Sequence, residues 1–258
     1  MKSKNKTICF VTAGGDHPWA LANALASRFG DHLVVIQEEP ESKRDLIAKR
    51  ARKLGWISAA GQLATMVAIR LGKSAQADHI KAFIEKTRLN VSPVWTERSV
   101  RVPSVNDEAF AAAITRLRPD IIVLAGCRMM KGGMLHRLPC PVINYHPGIT
   151  PKYRGMNGGY WALANREPEK FGSTIHFVDK GVDTGAVIRQ VFCAPERGDT
   201  IMTYPYTIVA ASREPICDAV EDVLAGRAKV IAPTDISAQW YHPTIWTWLR
   251  NGMLRGIW

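Results

Sequence analysis

Asn144 and His146 stand two residues apart in the run VINYHPG, and Asp183 lies in the turn GVDTG. On extended backbone, residues i and i+2 point to one face, so the amide and the imidazole would look the same way. An amide N–H aimed at a carbonyl oxygen supports the charge that develops there as the carbon turns tetrahedral. A preorganised donor of that kind is worth roughly 3–4 kcal/mol. An imidazole relays protons and an imidazolium steadies an oxyanion. A carboxylate beside it would fix the ring and raise its pKa. Together the three suit transfer of a carbonyl carbon to a nucleophile. Singly, each has an ordinary explanation, since Asn and Asp are turn formers and an isolated His is commonly structural. His176, in a strand pattern, reads as a packed core residue.

The elements that must position these groups are legible in outline. Residues 7–12 form a short apolar run that ends in Ala13-Gly14-Gly15-Asp16, and a helical pattern follows over 18–29. That is strand, tight turn and helix. Residues 33–37 read as a second strand. Residues 41–71 are long, basic and amphipathic, with Gly55 and Gly61 as expected breaks, and 78–87 reads as another helix. Weak strand patterns occur at 94–95 and 100–102. A helix is expected over 107–117 with Asn106 or Asp107 as its N-cap. Residues 120–124 (DIIVL) are the continuous apolar run of a buried parallel strand. A loop and short helix over 126–138 and a strand over 141–144 follow. Alternating strand and helix predict an α/β fold, a Rossmann-like open and mostly parallel sheet. Beyond it come a helix over 157–165, two strands over 173–178 and 186–192, a helical stretch within 200–224, and a tail over 233–258 rich in Trp and Tyr. We expect a catalytic domain over 1–195, with a basic helical insert at about 41–90, and a C-terminal helix and tail over 196–258.

Composition narrows the class. With 258 residues, 47% hydrophobic and 22% charged, the chain can bury a core without disulfides or metal. Five scattered cysteines with no CxxC pair fit free thiols in a reducing, cytoplasmic setting. No stretch approaches the ~20 apolar residues of a membrane span, and the start does not read as a secretory leader. The net charge of +11 is concentrated in 43–73 and 81–118 and suggests a surface that faces an anion. A solvated helix face would account for it equally. No RNA-binding motif accompanies the charge. Gly72-Lys73-Ser74 resembles the end of a P-loop, but Val67 occupies the position of its first Gly. Gly14-Gly15 lacks a GxGxxG continuation. His136, His146 and His176 lack metal-ligand spacing, so no metal is expected.

Three blocks in order, IIVLAG, VINYHPGITPKYRG and GSTIHFVDKGVDTGAVI, resemble the folate-dependent formyltransferase family. The resemblance is densest over 121–188 and implies a formyltransferase fold with N10-formyltetrahydrofolate as co-substrate. It assigns Asn144, His146 and Asp183 the catalytic roles given above. It further implies that Arg128, Met129 and Met130, after a strand's carboxyl end, line the pterin site with Val178, Asp179 and Gly181. Met side chains adapt to flat ligands, although plain packing would explain them as well. Gly14 and Gly15, ahead of a helix N-terminus, could hold a substrate phosphate. Tyr153, Arg154 and Asn157 are further substrate candidates. ITPKYRG departs from the family's SLLPxYRG, which points to an unusual acceptor; Arg154 reads more as loop support than as a substrate contact.

The basic insert and aromatic tail are most similar to members that formylate nucleotide-linked amino sugars of the GDP-perosamine type in O-antigen (lipopolysaccharide) synthesis. The tail leaves little room for the β-barrel of tRNA-directed members. The expected partners are folate and such an amino sugar, with no nucleic acid. A homodimer is left open. Alternatives are a phosphoribosylglycinamide formyltransferase and a non-catalytic folate or nucleotide-sugar binding protein. Tail aromatics could stack on a ligand or simply pack the tail on the core.

Overall fold

The computed structural model describes residues 6–42 and 51–258. The part of the expected basic helix that falls on 43–50 lies outside the described residues. Nine strands are labelled here: β1 (Ile8–Thr12), β2 (Leu33–Glu38), β3 (Val100–Val102), β4 (Ile121–Leu124), β5 (Val142–His146), β6 (Arg154–Gly155), β7 (Gly172–Phe177), β8 (Val187–Phe192) and β9 (Gln239–Trp240). The helices are α1 (Asp16–Phe29), α2 (Trp56–Leu71), α3 (Lys73–Thr87), α4 (Glu108–Leu117), α5 (Gly132–Leu135), α6 (Gly158–Ala164), α7 (Tyr204–Leu224) and α8 (Ile245–Arg255).

Seven strands form one sheet in the order β3-β2-β1-β4-β5-β7-β8. The first five are parallel, and β7 and β8 add antiparallel strands at one edge. The expected α/β class is what the chain adopts. Alternation along β1 explains the two cores: Ile8 and Phe10 pack with Leu21, Leu25 and Ile208 on one face, and Cys9 and Val11 pack with Phe110 and Ile114 on the other. Helices α1 and α7 cover the first face, and α4 covers the second. Asp107 is the N-cap of α4 and accepts from the Ala109 N–H at 2.9 Å.

The expected strand at 94–95 and the expected helix break at Gly61 are both absent from the fold. Trp95 instead packs near Trp19 and carries the Arg101 guanidinium 5.0 Å over its ring. Gly55 does end one helix and begin the next, but Gly61 lies inside α2. A Cβ there would sit 2.4 Å from the Trp246 ring, so this glycine permits close approach of the tail. The tail itself returns to the body of the chain. β9 pairs with β6, Trp240 Nε1 donates to the Lys152 carbonyl at 2.8 Å, and the Trp240 ring lies 5.9 Å from Tyr153 and 4.7 Å from Trp161.

Candidate active site

Strand order reverses between β1 and β4, and in such sheets ligands bind beyond the carboxyl ends of the strands at that point. The Ala13 N–H donates to the Gly126 carbonyl at 3.1 Å, tying the loop that carries Gly14 and Gly15 to the loop after β4. Gly126 has φ 64°, and a Cβ there would meet Pro18 at 2.7 Å, so only glycine suits this turn.

β5 carries Asn144 and His146 to this end, and its neighbour β7 places His176 opposite Asn144 and Thr174 opposite His146. The loop between β7 and β8 then brings in Asp183. Its backbone is left-handed, with φ 50°, a conformation that Asp and Asn tolerate better than most residues. The three groups singled out in the sequence therefore converge. His146 Nδ1 is 3.3 Å from Asp183 Oδ2, and Asn144 Nδ2 donates to Asp183 Oδ1 at 3.2 Å. The carboxylate also fixes the Asn144 amide orientation, since the flipped amide would set oxygen against oxygen.

His176 is buried, as its strand pattern suggested, but its ring belongs to this polar cluster. Its Nε2 lies 3.2 Å from Asn144 Nδ2 and 3.5 Å from Asp183 Oδ1, and its Nδ1 lies 2.7 Å from the Phe177 carbonyl. With the ring proton on Nδ1 donated to that carbonyl, Nε2 accepts from Asn144. The signal that could have found it is pairing: once 173–178 is folded back on β5, residues 144 and 176 face each other.

Electrostatics follow from burial and these neighbours. Burial alone would raise the Asp183 pKa, but the positive charge of His146 when protonated and the Gly155 N–H, which donates at 2.9 Å, hold it down at about 2. Asp183 is therefore ionised. Burial pushes the His146 pKa below the ordinary imidazole value, while Asp183 and the Tyr153 carbonyl pull against it. His146 Nε2 lies 2.7 Å from that carbonyl, so the neutral ring carries its proton on Nε2 and offers Nδ1 toward Asp183. A proton taken up at Nδ1 would find the carboxylate waiting.

The loop after β5 is held closely. Thr174 Oγ1 donates to the Gly148 carbonyl at 2.8 Å and accepts from the Thr150 N–H at 3.0 Å. A Cβ on Gly148 would lie 2.5 Å from the Tyr153 carbonyl oxygen and 2.7 Å from His146 Nε2. Arg154 donates to the Val182 carbonyl at 2.8 Å and to Ser237 at 2.9 Å, which joins this loop to the Asp183 loop. That is the supporting role its sequence suggested. Tyr153 is fully buried, with its hydroxyl donating to Glu167 at 2.6 Å. Asn157 begins α6 in a left-handed conformation, and its Nδ2 is buried without a hydrogen-bond partner.

On the pterin side expected from sequence, Met129 is exposed and Met130 is buried among Ile122 and Leu124. The Arg128 guanidinium donates to the Pro103 and Glu39 carbonyls at 2.7 and 2.8 Å and lies 3.4 Å from Glu38. Glu38, buried at the end of β2, also accepts from the Val105 and Arg128 N–H groups, an organising role that sequence reasoning missed. Asn106 accepts from the Lys131 N–H at 2.7 Å and donates to the Met129 carbonyl at 3.0 Å, bracing the same loop. In the second loop, Val178 continues β7 by donating to Val142, and Asp179 accepts from the Gly181 N–H at 3.0 Å. The Lys180 side chain lies along Gly132, so the two loops adjoin. A separate cleft between α1 and α7 is bounded by Asn23, Arg88 and Arg213. None of the residues above lines it.

An open, mostly parallel sheet thus ends in an amide, an imidazole and a carboxylate, the residue types that group transfer to a nucleophile calls for. Residues 58–219 match the family described as formyl transferase, and the chain belongs to that family. It is 28% identical over 155 residues to the methionyl-tRNA formyltransferase of Chlorobium chlorochromatii, a match that covers 55% of this chain and 49% of that protein. The chain thus spans about half the length of this relative. Among solved structures, the sugar N-formyltransferase of Shewanella sp FDAARGOS_354 superposes with a TM-score of 0.55 at 14% identity, covering 90% of this chain and 76% of the other. The glycinamide ribonucleotide transformylase 1 of Symbiobacterium toebii does so with a TM-score of 0.56 at 22% identity, covering 89% and 94%. These two likenesses show a shared fold. Among the described residues, no cluster of His, Cys, Asp and Glu is arranged to hold a metal, and no helix is long and apolar enough to cross a membrane.

Proposed function

We propose that the chain transfers a formyl group from N10-formyltetrahydrofolate to the amine of a nucleotide-linked amino sugar, of the GDP-perosamine type used in O-antigen synthesis. The observation that carries the reading is the convergence of Asn144, His146 and Asp183 at the carboxyl end of β5. The folate co-substrate supplies an amide-like formyl carbon, and this donor set fits such a carbon. The exposed Met129 and the adjoining loops that carry Arg128, Met130, Val178, Asp179 and Gly181 would hold the pterin; Arg128 and Met130 act there by shaping the loop, because their side chains are already engaged.

The acceptor amine forms a bond to the formyl carbon, and the bond from that carbon to its folate nitrogen breaks. One proton leaves the amine and one reaches the departing nitrogen. Asn144 donates to the formyl oxygen as it gains charge, by turning the N–H it now shares with His176. His146 holds the proton in transit at Nδ1, and Asp183 stabilises the imidazolium this creates. Gly14 and Gly15 ahead of α1 and Asn157 at the start of α6 make the acceptor side; Tyr153, fully buried, and Arg154, engaged with Val182 and Ser237, act there by holding the loop and not by touching the acceptor as the sequence had suggested for Tyr153. The likeness to a sugar N-formyltransferase supports a sugar acceptor, and the likeness to a glycinamide ribonucleotide transformylase keeps that ribonucleotide as the second reading. Incubation with N10-formyltetrahydrofolate and a panel of amino nucleotide-sugars plus glycinamide ribonucleotide, read by mass spectrometry, tests both. A formylated nucleotide-sugar supports the first reading, formylated ribonucleotide alone supports the second, and no transfer to any amine refutes both.

A further inference from the structure

Helix α2 is inside out. Its buried side is small and polar, made of Ala59, Gly61, Gln62 and Thr65. Its exposed side is large and apolar: Trp56 is 73% exposed, Ile57 79%, Val67 50% and Leu71 78%. Positions 56, 60, 63 and 67 recur at helical spacing, and 57, 64 and 71 run beside them, so the exposed residues form a continuous stripe about 24 Å long. Helix α8, which meets α2 where Trp246 packs on Gly61, repeats the inversion in part, while its Trp248 packs against the core. It buries Asn251 and Gly252 and exposes Trp246, Met253 and Leu254. Soluble proteins seldom leave so much clustered apolar surface without a use for it.

Charge selects the occupant. No acidic residue occurs in 46–77 or in 236–258. Exposed Lys53, Arg70, Arg250 and Arg255 accompany the two stripes. A second copy of the same face would bring these like charges together, whereas a surface rich in phosphate would neutralise them. An apolar helical stripe that begins at a Trp, as Trp56 begins this one, with Arg or Lys beside it is the pattern that settles into the headgroup boundary. We propose that α2 and α8 form a docking face for the surface of an anionic lipid bilayer, on which the chain lies without crossing.

The test uses the intact chain with sedimenting vesicles of equal phosphatidylcholine and phosphatidylglycerol, and with vesicles of phosphatidylcholine alone. The expected result is at least about tenfold stronger partition onto the anionic vesicles, weakened by salt and accompanied by a blue shift of Trp emission. The double substitution Ile57→Glu with Leu71→Glu, at exposed positions remote from Asn144 in the chain, should lower that partition at least about tenfold with unchanged circular dichroism. Equal sedimentation with both lipids would overturn the proposal. Undiminished partition of the double variant would overturn it too. So would a vesicle-free dimer, seen by analytical ultracentrifugation, that the same substitutions dissolve.

Discussion

Replacing Asp183 by Asn is the most informative single change, because it removes charge while sparing the backbone. Asn adopts the left-handed conformation at φ 50° as Asp does. The amide oxygen can still accept from either Gly155 or Asn144, but its nitrogen cannot accept from the other, so one contact is lost. At the 3.3 Å separation from His146, two unit charges attract by about 5 kcal/mol at an effective dielectric near 20. Relief of the buried carboxylate's desolvation offsets part of this, leaving about 3 kcal/mol, or ~10²-fold in turnover. Folate affinity should change far less, because Asp183 acts on His146 and not on the pterin. The acid limb of the pH profile, set by His146, lies below the ordinary imidazole value and should move lower still in the variant, since a neutral amide no longer favours the imidazolium. Stability should fall as well. The folded Asp183 pKa of about 2 lies below its ordinary value of 3.8, so its contribution, on the order of 2 kcal/mol, is full above about pH 4 and fades as pH drops toward 2. Steady-state kinetics across pH, folate titration by fluorescence and denaturant melts read the three effects separately. Wild-type turnover in the variant would refute the role given to Asp183.

Gly148→Ala should cut turnover at least about tenfold with a modest loss of stability, because the new methyl must displace the Tyr153 carbonyl or the His146 ring; wild-type kinetics would show that the loop can yield. His176→Ala should lower kcat by about tenfold and leave KM near its original value, since it removes a partner of Asn144; a change in KM alone would assign His176 to substrate binding. Gly61→Ala should move the Trp246 ring off α2 yet change stability by no more than about 1 kcal/mol in a thermal or denaturant melt, because that ring is half-exposed and Ala gains about that much helix propensity over Gly; a loss above about 2 kcal/mol would show that the ring cannot move aside. Activity should survive EDTA; loss restored by a divalent ion would contradict the mechanism.

The sheet was legible because β1, β4 and β5 are apolar runs bounded by turn residues, a pattern that local sequence carries by itself. Asn144 and His146 were legible for the same reason: alternation on one strand settles that they share a face. His176 was not, because its company depends on which strand β7 folds against, and an isolated strand pattern says only that alternate residues are buried. Gly61 was misread as a helix break because glycine lowers helix propensity; the packing of Trp246, 185 residues away in the chain, makes it useful inside α2. The β6–β9 pairing joins two strands of two residues each across a long separation, too short for any periodicity to show. Helix α8 escaped notice because it buries Asn251 and Gly252 while Trp246, Met253 and Leu254 face outward and only Trp248 among its aromatics packs on the core, which blurs the usual helical pattern.

The account stands most directly on a single-turnover measurement with N10-formyltetrahydrofolate carrying an isotopic label in its formyl carbon, comparing the unaltered chain with His146→Ala in the presence of amino nucleotide-sugars. The label should pass to an acceptor amine with the unaltered chain and stay on folate, within background, in the variant. Equal transfer by the two proteins would place the chemistry somewhere other than the end of β5.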